Sequence, residues 1–188
     1  MIFNKHTNLE GLHSVFSPSQ SSWLRYDDDK ALEVYANKKS AEMGTRLHAW
    51  AKETIDLGIK QPKSKKTIYT YVNDAIGFRT NTEVVLFYSD RFFGTADAIS
   101  FRNNILRIHD LKTGKIGKID GHIEQLEIYA ALFCLEYKVK PQDISIELRV
   151  YKNDEIVCHI PEADNISQIM EHIIHLDKLI EKAEYEEV

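Results

Sequence analysis

After Thr80 the hydrophobic pattern changes period, and this change constrains the fold more than any other feature of the chain. Residues 83–89 (EVVLFYS), 92–101 (FFGTADAISF) and 105–112 (ILRIHDLK) alternate apolar with polar or small side chains, and only Asp90-Arg91 and Asn103-Asn104 separate them. Alternation at period two marks a half-buried strand, and a two-residue connection makes its flanking strands antiparallel. A three-stranded meander follows.

The flanking segments read as helices and further strands. Ser17 and Pro18 are placed to start a short helix through Trp23 and Leu24, with the serine capping and the proline at the first helical position. Residues 39–57 carry Ala41, Leu47, Trp50, Ala51 and Ile55 at helical spacing, with His48 among them and Gly58 as the stop. A polar connection at 61–66 precedes another helix over about 68–79. Residues 119–137 predict a buried helix with Pro141 beyond its end, residues 144–153 and 155–161 two more strands, and residues 166 to about 185 a last helix. Together these predict an α/β or α+β domain with a mixed central sheet flanked by helices. At 188 residues one domain is expected over 1–188, with a helical part at about 17–80 and a sheet core at about 83–160.

Composition limits the function classes. An apolar fraction of 43% and a charged fraction of 28% belong to an ordinary globular protein. No apolar run approaches the ~20 residues of a membrane span, and the first residues lack the apolar segment of a signal peptide, so a cytoplasmic location without membrane attachment is expected. Cys134 and Cys158 lie far apart in apolar surroundings and read as free thiols; two cysteines are too few for an all-cysteine zinc or iron–sulfur site. The net charge of −5 argues against indiscriminate wrapping of nucleic acid, yet two lysine-rich islands occur, at 60–66 and 112–118.

The third strand poses the chemical question. Side chains alternate, so Leu106, Ile108, Asp110 and Lys112 share one face and Arg107, His109 and Leu111 the other. Asp110 and Lys112 therefore continue a buried stripe. A hairpin of this length can also set Asp97 of the second strand beside Asp110. Two such carboxylates repel unless a cation joins them, and hard oxygen ligands select Mg²⁺ or Mn²⁺. A lysine beside that cation can orient an attacking water and neutralise charge growing on a phosphate, whereas a lone D-x-K taken alone is more often a plain ion pair at a strand end.

Four motifs in order extend this reading: "GTRLHAW" with His48, "GTAD" with Asp97, "DLK" with Asp110 and Lys112, and "QLEIY" with Gln125 and Tyr129. In this series the chain resembles the RecB-like exonuclease branch of the PD-(D/E)xK nucleases, over roughly residues 17–132. The resemblance implies a restriction-endonuclease-like core. It implies His48, Asp97, Asp110 and the main-chain carbonyl of Leu111 as metal ligands, with Asp97, Asp110 and Lys112 as the catalytic set. Gln125 and Tyr129 would line a DNA channel. Glu83 ranks lower, as an additional acidic ligand. Phage-encoded and CRISPR-adaptation relatives often carry a cysteine after the segment matching 17–26; Tyr26 and Asp27 stand here instead, so no iron–sulfur cluster is expected.

The expected activity is a Mg²⁺- or Mn²⁺-dependent DNA exonuclease acting on free ends, chiefly of single strands, in recombination, repair or phage DNA processing. Lys115 and Lys118, with the 60–66 island, would flank the channel, and Trp23, Trp50, Tyr69 or Tyr71 are candidates to stack on bases. No G-x-x-x-x-G-K-[ST] motif is present, so unwinding would fall to a helicase or recombination partner. A structure-specific endonuclease and a non-catalytic binding module are the competing readings.

Overall fold

The computed structural model describes residues 14–19, 21–114, 120–152 and 155–186. The chain divides into two units, Met1–Thr45 and Arg46–Val188. In the first, a 3-10 turn at Ser21–Arg25 precedes a helix, α1 (Asp28–Asp56), which continues into the second unit. Within the second unit come α2 (Thr67–Gly77), β1 (Asn81–Ser89), β2 (Phe92–Arg102), β3 (Ile105–Lys112), α3 (Asp120–Tyr137), β4 (Ser145–Lys152), β5 (Glu155–His159) and α4 (Ala163–Glu186).

The strands form one five-stranded sheet in the order β1-β2-β3-β4-β5. All neighbours are antiparallel except β3 and β4, which run parallel. A parallel pair needs a crossover, and α3 supplies it. The result is an α+β fold with a mixed sheet, as the period change and the alternation of elements predict. The β2–β3 turn is Asn103-Asn104 with φ of 53° and 57°, the left-handed pair that a tight two-residue hairpin demands and asparagine tolerates.

Each sheet face is covered by different helices. On one side Leu86, Ala96, Ile99, Leu106, Ile108 and Leu148 pack with Leu126, Ala130 and Phe133 of α3 and with Ile166 and Ile173 of α4. On the other, Ala98, Leu111 and Tyr151 meet Ala51 and Ile55 of α1 and Tyr71, Val72 and Ala75 of α2. Arg91, at the β1–β2 turn, reaches α4 with one guanidinium, holding Asp177 at 3.0 Å and Glu184 at 2.6 Å. That fork ties the last helix to the meander.

The amino-terminal helices depart from expectation. No α-helix starts at Ser17: its hydroxyl bonds Ser19, and its carbonyl accepts the Trp23 indole N–H at 3.0 Å, which closes a turn and leaves a 3-10 segment through Trp23 and Leu24. The long helix begins at Asp28, well before residue 39, because Asp27 Oδ1 accepts the Lys30 amide at 2.8 Å as an N-cap and Asp28 and Asp29 occupy the positive first turn. Cys134 is buried and Cys158 exposed, and both are free. Among the described residues no helix is long and apolar enough to cross a membrane.

Candidate metal centre

The site gathers where β2 and β3 pass between the helical layers. The β2–β3 ladder ends at the Ala98–His109 pair, so that Asp97 and Asp110 are the next residues beyond it, close enough for Asp110 to raise the Asp97 pKa. The expected meeting of these aspartates is thus built into the hairpin. Asp97 Oδ2 accepts the Leu111 amide at 3.0 Å, a bond that fixes the carboxylate across the strand gap.

Side-chain alternation slips at Asp97. Ala96 and Ile99 both lie in the α3 cluster, whereas Ala98 lies in the cluster under α1 and α2. On the partner strand Thr82 pairs with Ala98 and Val84 with Ala96, while Glu83 between them has a φ of 51°. A left-handed glutamate within a strand costs on the order of 1 kcal/mol and persists only where its surroundings impose it. Here it coincides with a cluster: single ligand atoms of His48, Glu83 and Asp97 lie within 4.8 Å of one another. His48 enters from α1, three residues before buried Ala51, with Nδ1 3.5 Å from Asp97 Oδ2.

Asp110 and Lys112 form the adjoining half. Asp110 is 3% exposed, with Oδ1 3.0 Å from Lys112 Nζ and Oδ2 buried without a hydrogen-bond partner. Lys112 Nζ also donates to Gln125 Oε1 at 3.1 Å, and Gln125 Nε2 donates to the Tyr129 hydroxyl at 3.4 Å. Tyr129 then covers Gly94: a Cβ at that glycine would stand 2.8 Å from Tyr129 Cε1. So the glycine of GTAD and the tyrosine of QLEIY, 35 positions apart (129 minus 94), are required by one contact.

The electrostatics leave the site short of positive charge. Burial pushes the Asp97 carboxyl well above its ordinary pKa and neighbouring Asp110 adds to the rise, against the opposing Leu111 amide, His48 and Lys112. Burial first, and then Asp97, Asp110 and Glu83, also drive the Tyr71 hydroxyl upward. The two carboxylates of Glu83 and Asp97 with a His48 nitrogen, beside Asp110 and its orphaned buried oxygen, are a hard, mainly oxygen donor set, which fits Mg²⁺ or Mn²⁺.

Most of the predicted site residues therefore converge: His48, Asp97, Asp110, Leu111, Lys112, Gln125 and Tyr129. Of the expected ligands, His48 and Asp97 have ligand atoms within 4.8 Å of one another, and the third member of that group is Glu83, ranked lowest from sequence, rather than Asp110, which instead holds Lys112. Lys115 and Lys118 lie outside the described residues. Tyr71, offered as a stacking residue, is instead 3% exposed and packed edge-on against Tyr151, so its ring is enclosed by core.

Two residues were missed. Lys152 pairs in register with Lys112 across the parallel β3–β4 ladder, is 4% exposed, and has Nζ 3.4 Å from His122 Nε2 at the start of α3. Burial first, then Lys112 and Lys152, lower the His122 pKa, against the opposing Asp110. The signal was available: Lys152 ends an alternating strand after Leu148 and Val150 just as Lys112 follows Ile108 and Asp110. No family model matches this chain, and no curated protein or solved structure matches it either.

Proposed function

We propose that this protein is a Mg²⁺- or Mn²⁺-dependent deoxyribonuclease, an exonuclease hydrolysing phosphodiesters from free DNA ends, with single strands as the preferred substrate. The observation that carries the reading is the His48–Glu83–Asp97 group, with single ligand atoms within 4.8 Å of one another, together with buried Asp110, whose Oδ1 meets Lys112 while its Oδ2 has no hydrogen-bond partner among the described residues. Bound there, a divalent cation supplies Lewis-acid activation of water and neutralises charge on the phosphate.

The chain's own groups divide the remaining work. Asp97, fixed by the Leu111 amide, and His48 and Glu83 around it form a rigid acidic wall on one side. Lys112, held between Asp110 and Gln125, presents a cation that orients the attacking water and stabilises the phosphate as negative charge builds. Gln125 and Tyr129 share a helix face, since residues four apart do, and offer an amide and a hydroxyl to a strand lying over α3. Lys152 adds a second cation next to Lys112.

One observation favours the non-catalytic reading: the Asp110–Lys112 pair is satisfied within the chain, as in a structural ion pair. The deciding experiment is degradation of end-labelled linear single-stranded DNA beside a circular control, with Mn²⁺, Mg²⁺ or EDTA. Metal-dependent shortening of the linear strand alone is expected. Cutting of the circle would make the enzyme an endonuclease, and intact DNA under every condition would leave the binding module as the better account.

A further inference from the structure

A second cluster lies at the opposite end of the β2–β3 hairpin. There a cavity of about 570 Å³ is lined by Gly77, Phe78, Arg79, Arg102, Asn103 and Arg107. Its arginines come from three places in the fold: the turn after α2, the end of β2 and the start of β3. Arg107 is five residues from Lys112, roughly 16 Å along the strand, and its side chain belongs to the opposite face from Asp110.

The surrounding ion pairs leave this cluster with an excess of positive charge. Glu147 is shared by Arg149 Nε at 2.7 Å and Arg107 Nε at 3.5 Å, and Asp74 takes Arg149 at 3.1 Å together with the Tyr151 hydroxyl at 2.8 Å. The two carboxylates are thereby committed to Arg107 and Arg149. Arg79 and Arg102 have no carboxylate partner among the described residues. Four guanidiniums against two carboxylates leave two charges, in a chain whose net charge is −5.

Two of the four arginines are also held in place, while Arg79 and Arg102 are exposed at the rim. The guanidiniums of Arg107 and Arg149 lie 4.6 Å and 4.7 Å from the centre of the Phe78 ring, and Arg107 Nε is buried without a good hydrogen bond. A guanidinium stacked on an aromatic ring loses little freedom when it then binds an anion, because its plane is already set. Behind Phe78, His109 is wholly buried and meets the ring edge-on.

We infer that this cavity binds a phosphate monoester. Two uncompensated charges match the dianion such a group carries near pH 7, whereas a phosphodiester carries one. Three forks arriving from different elements suit a tetrahedral anion better than a planar carboxylate. The monoester can be borne by a free mononucleotide or by the phosphorylated end of a DNA strand. The inference does not depend on the nuclease reading, since no residue of the metal centre takes part.

Calorimetric titration of the full chain in EDTA, which removes metal-held phosphate from the readout, tests it. The probes are inorganic phosphate, a deoxynucleoside 5′-monophosphate, and one oligonucleotide with either a 5′-phosphate or a 5′-hydroxyl. Phosphate and the mononucleotide should bind, and the Arg79→Ala/Arg102→Ala double variant should weaken both by roughly tenfold or more at unchanged melting temperature. Tighter binding of the phosphorylated oligonucleotide than of its hydroxyl twin identifies a strand end as the source; binding of the mononucleotide but of neither oligonucleotide identifies free nucleotide. Equal binding of the two oligonucleotides, undiminished binding by the double variant, or no binding up to about 10 mM overturns the inference.

Discussion

The same two strands, β2 and β3, carry opposite charge at their two ends. Toward the carboxyl end of β3, Glu83 and Asp97 cluster with His48, and nearby Asp110 keeps one buried oxygen without a hydrogen-bond partner; around the hairpin turn, Arg79 and Arg102 have no carboxylate partner among the described residues. Each end is neutralised only in part: Lys112 answers Asp110 at one, and Glu147 and Asp74 answer Arg107 and Arg149 at the other. Internal pairing prevails where charges serve stability alone, as at Arg91 with Asp177 and Glu184. Where pairing is incomplete, the missing charge is available to a ligand, and the two ends ask for ligands of opposite sign.

The largest effect that would break this comparison is loss of turnover. Asp110→Asn keeps shape but removes the anion, and Lys112→Ala removes the cation; each is expected to lower DNA degradation by about 10³-fold, read as initial rates on end-labelled strand. Arg79→Ala or Arg102→Ala should leave turnover of a 5′-hydroxyl strand within about twofold, because the ends act separately. Parallel loss in both sets would mean that they form one site.

Metal binding comes next. At a Mn²⁺ concentration near 100 times the dissociation constant, stabilisation is about 2.7 kcal/mol, which for a chain of this length raises the melting temperature by roughly 5–10 °C. Asp97→Asn and Glu83→Gln should each abolish most of the shift, and EDTA should reverse it. An undiminished shift in Glu83→Gln would remove that residue from the ligand set and leave its left-handed backbone without a functional reason.

How far the sequence foretold these two ends differs for physical reasons. The acidic end was legible because hairpin length is a local rule, and it brings Asp97 near Asp110 without knowledge of the rest. Glu83 was underrated because its side chain reaches the site through a left-handed residue, which alternation does not anticipate. Lys152 reaches it through a parallel pairing between strands 33 positions apart (145 minus 112), fixed by how α3 crosses over. The arginine end was invisible for a similar reason: Arg79 and Arg102 look like ordinary surface charges until Asp74 and Glu147 are seen to be committed to Arg107 and Arg149. At the amino terminus the helix was read too short because residues 28–38 contribute none of the buried positions of α1, so periodicity was silent there and only the Asp27 cap marked the start.

His109 sharpens the comparison from between the two ends. Burial, then Arg149 and Arg107, push its pKa down to about 3, and neither ring nitrogen has a partner. Its folded pKa lies below the unfolded value near 6.5, so between those values the unfolded chain binds the proton and the folded one does not; stability is intact above pH 6.5 and falls as pH drops toward 3. The loss between pH 7 and 4 should be about 2–3 kcal/mol, read by denaturant unfolding, and His109→Phe should flatten that slope while leaving Mn²⁺ binding unchanged. A slope that survives the substitution would trace acid sensitivity to the carboxylates instead.

The smallest expected effect tests whether the acidic end depends on close packing as well as charge. Gly94→Ala places a methyl 2.8 Å from Tyr129 Cε1, and the ring must move because backbone of β2 lies on the other side of the contact. Overpacking of this kind costs about 1–3 kcal/mol, the lower end where a side chain can swing aside. Since Tyr129 bonds Gln125 and Gln125 accepts from Lys112, the displacement travels to the lysine through two hydrogen bonds. Turnover should therefore fall by several-fold with Mn²⁺ affinity unchanged, and Gly94→Ala/Tyr129→Phe, which keeps the clash but lacks the hydroxyl, should be no worse than Tyr129→Phe alone in turnover. Additive losses would show that Tyr129 reaches the substrate independently of the lysine, and would separate the role of the α3 face from that of the acidic wall.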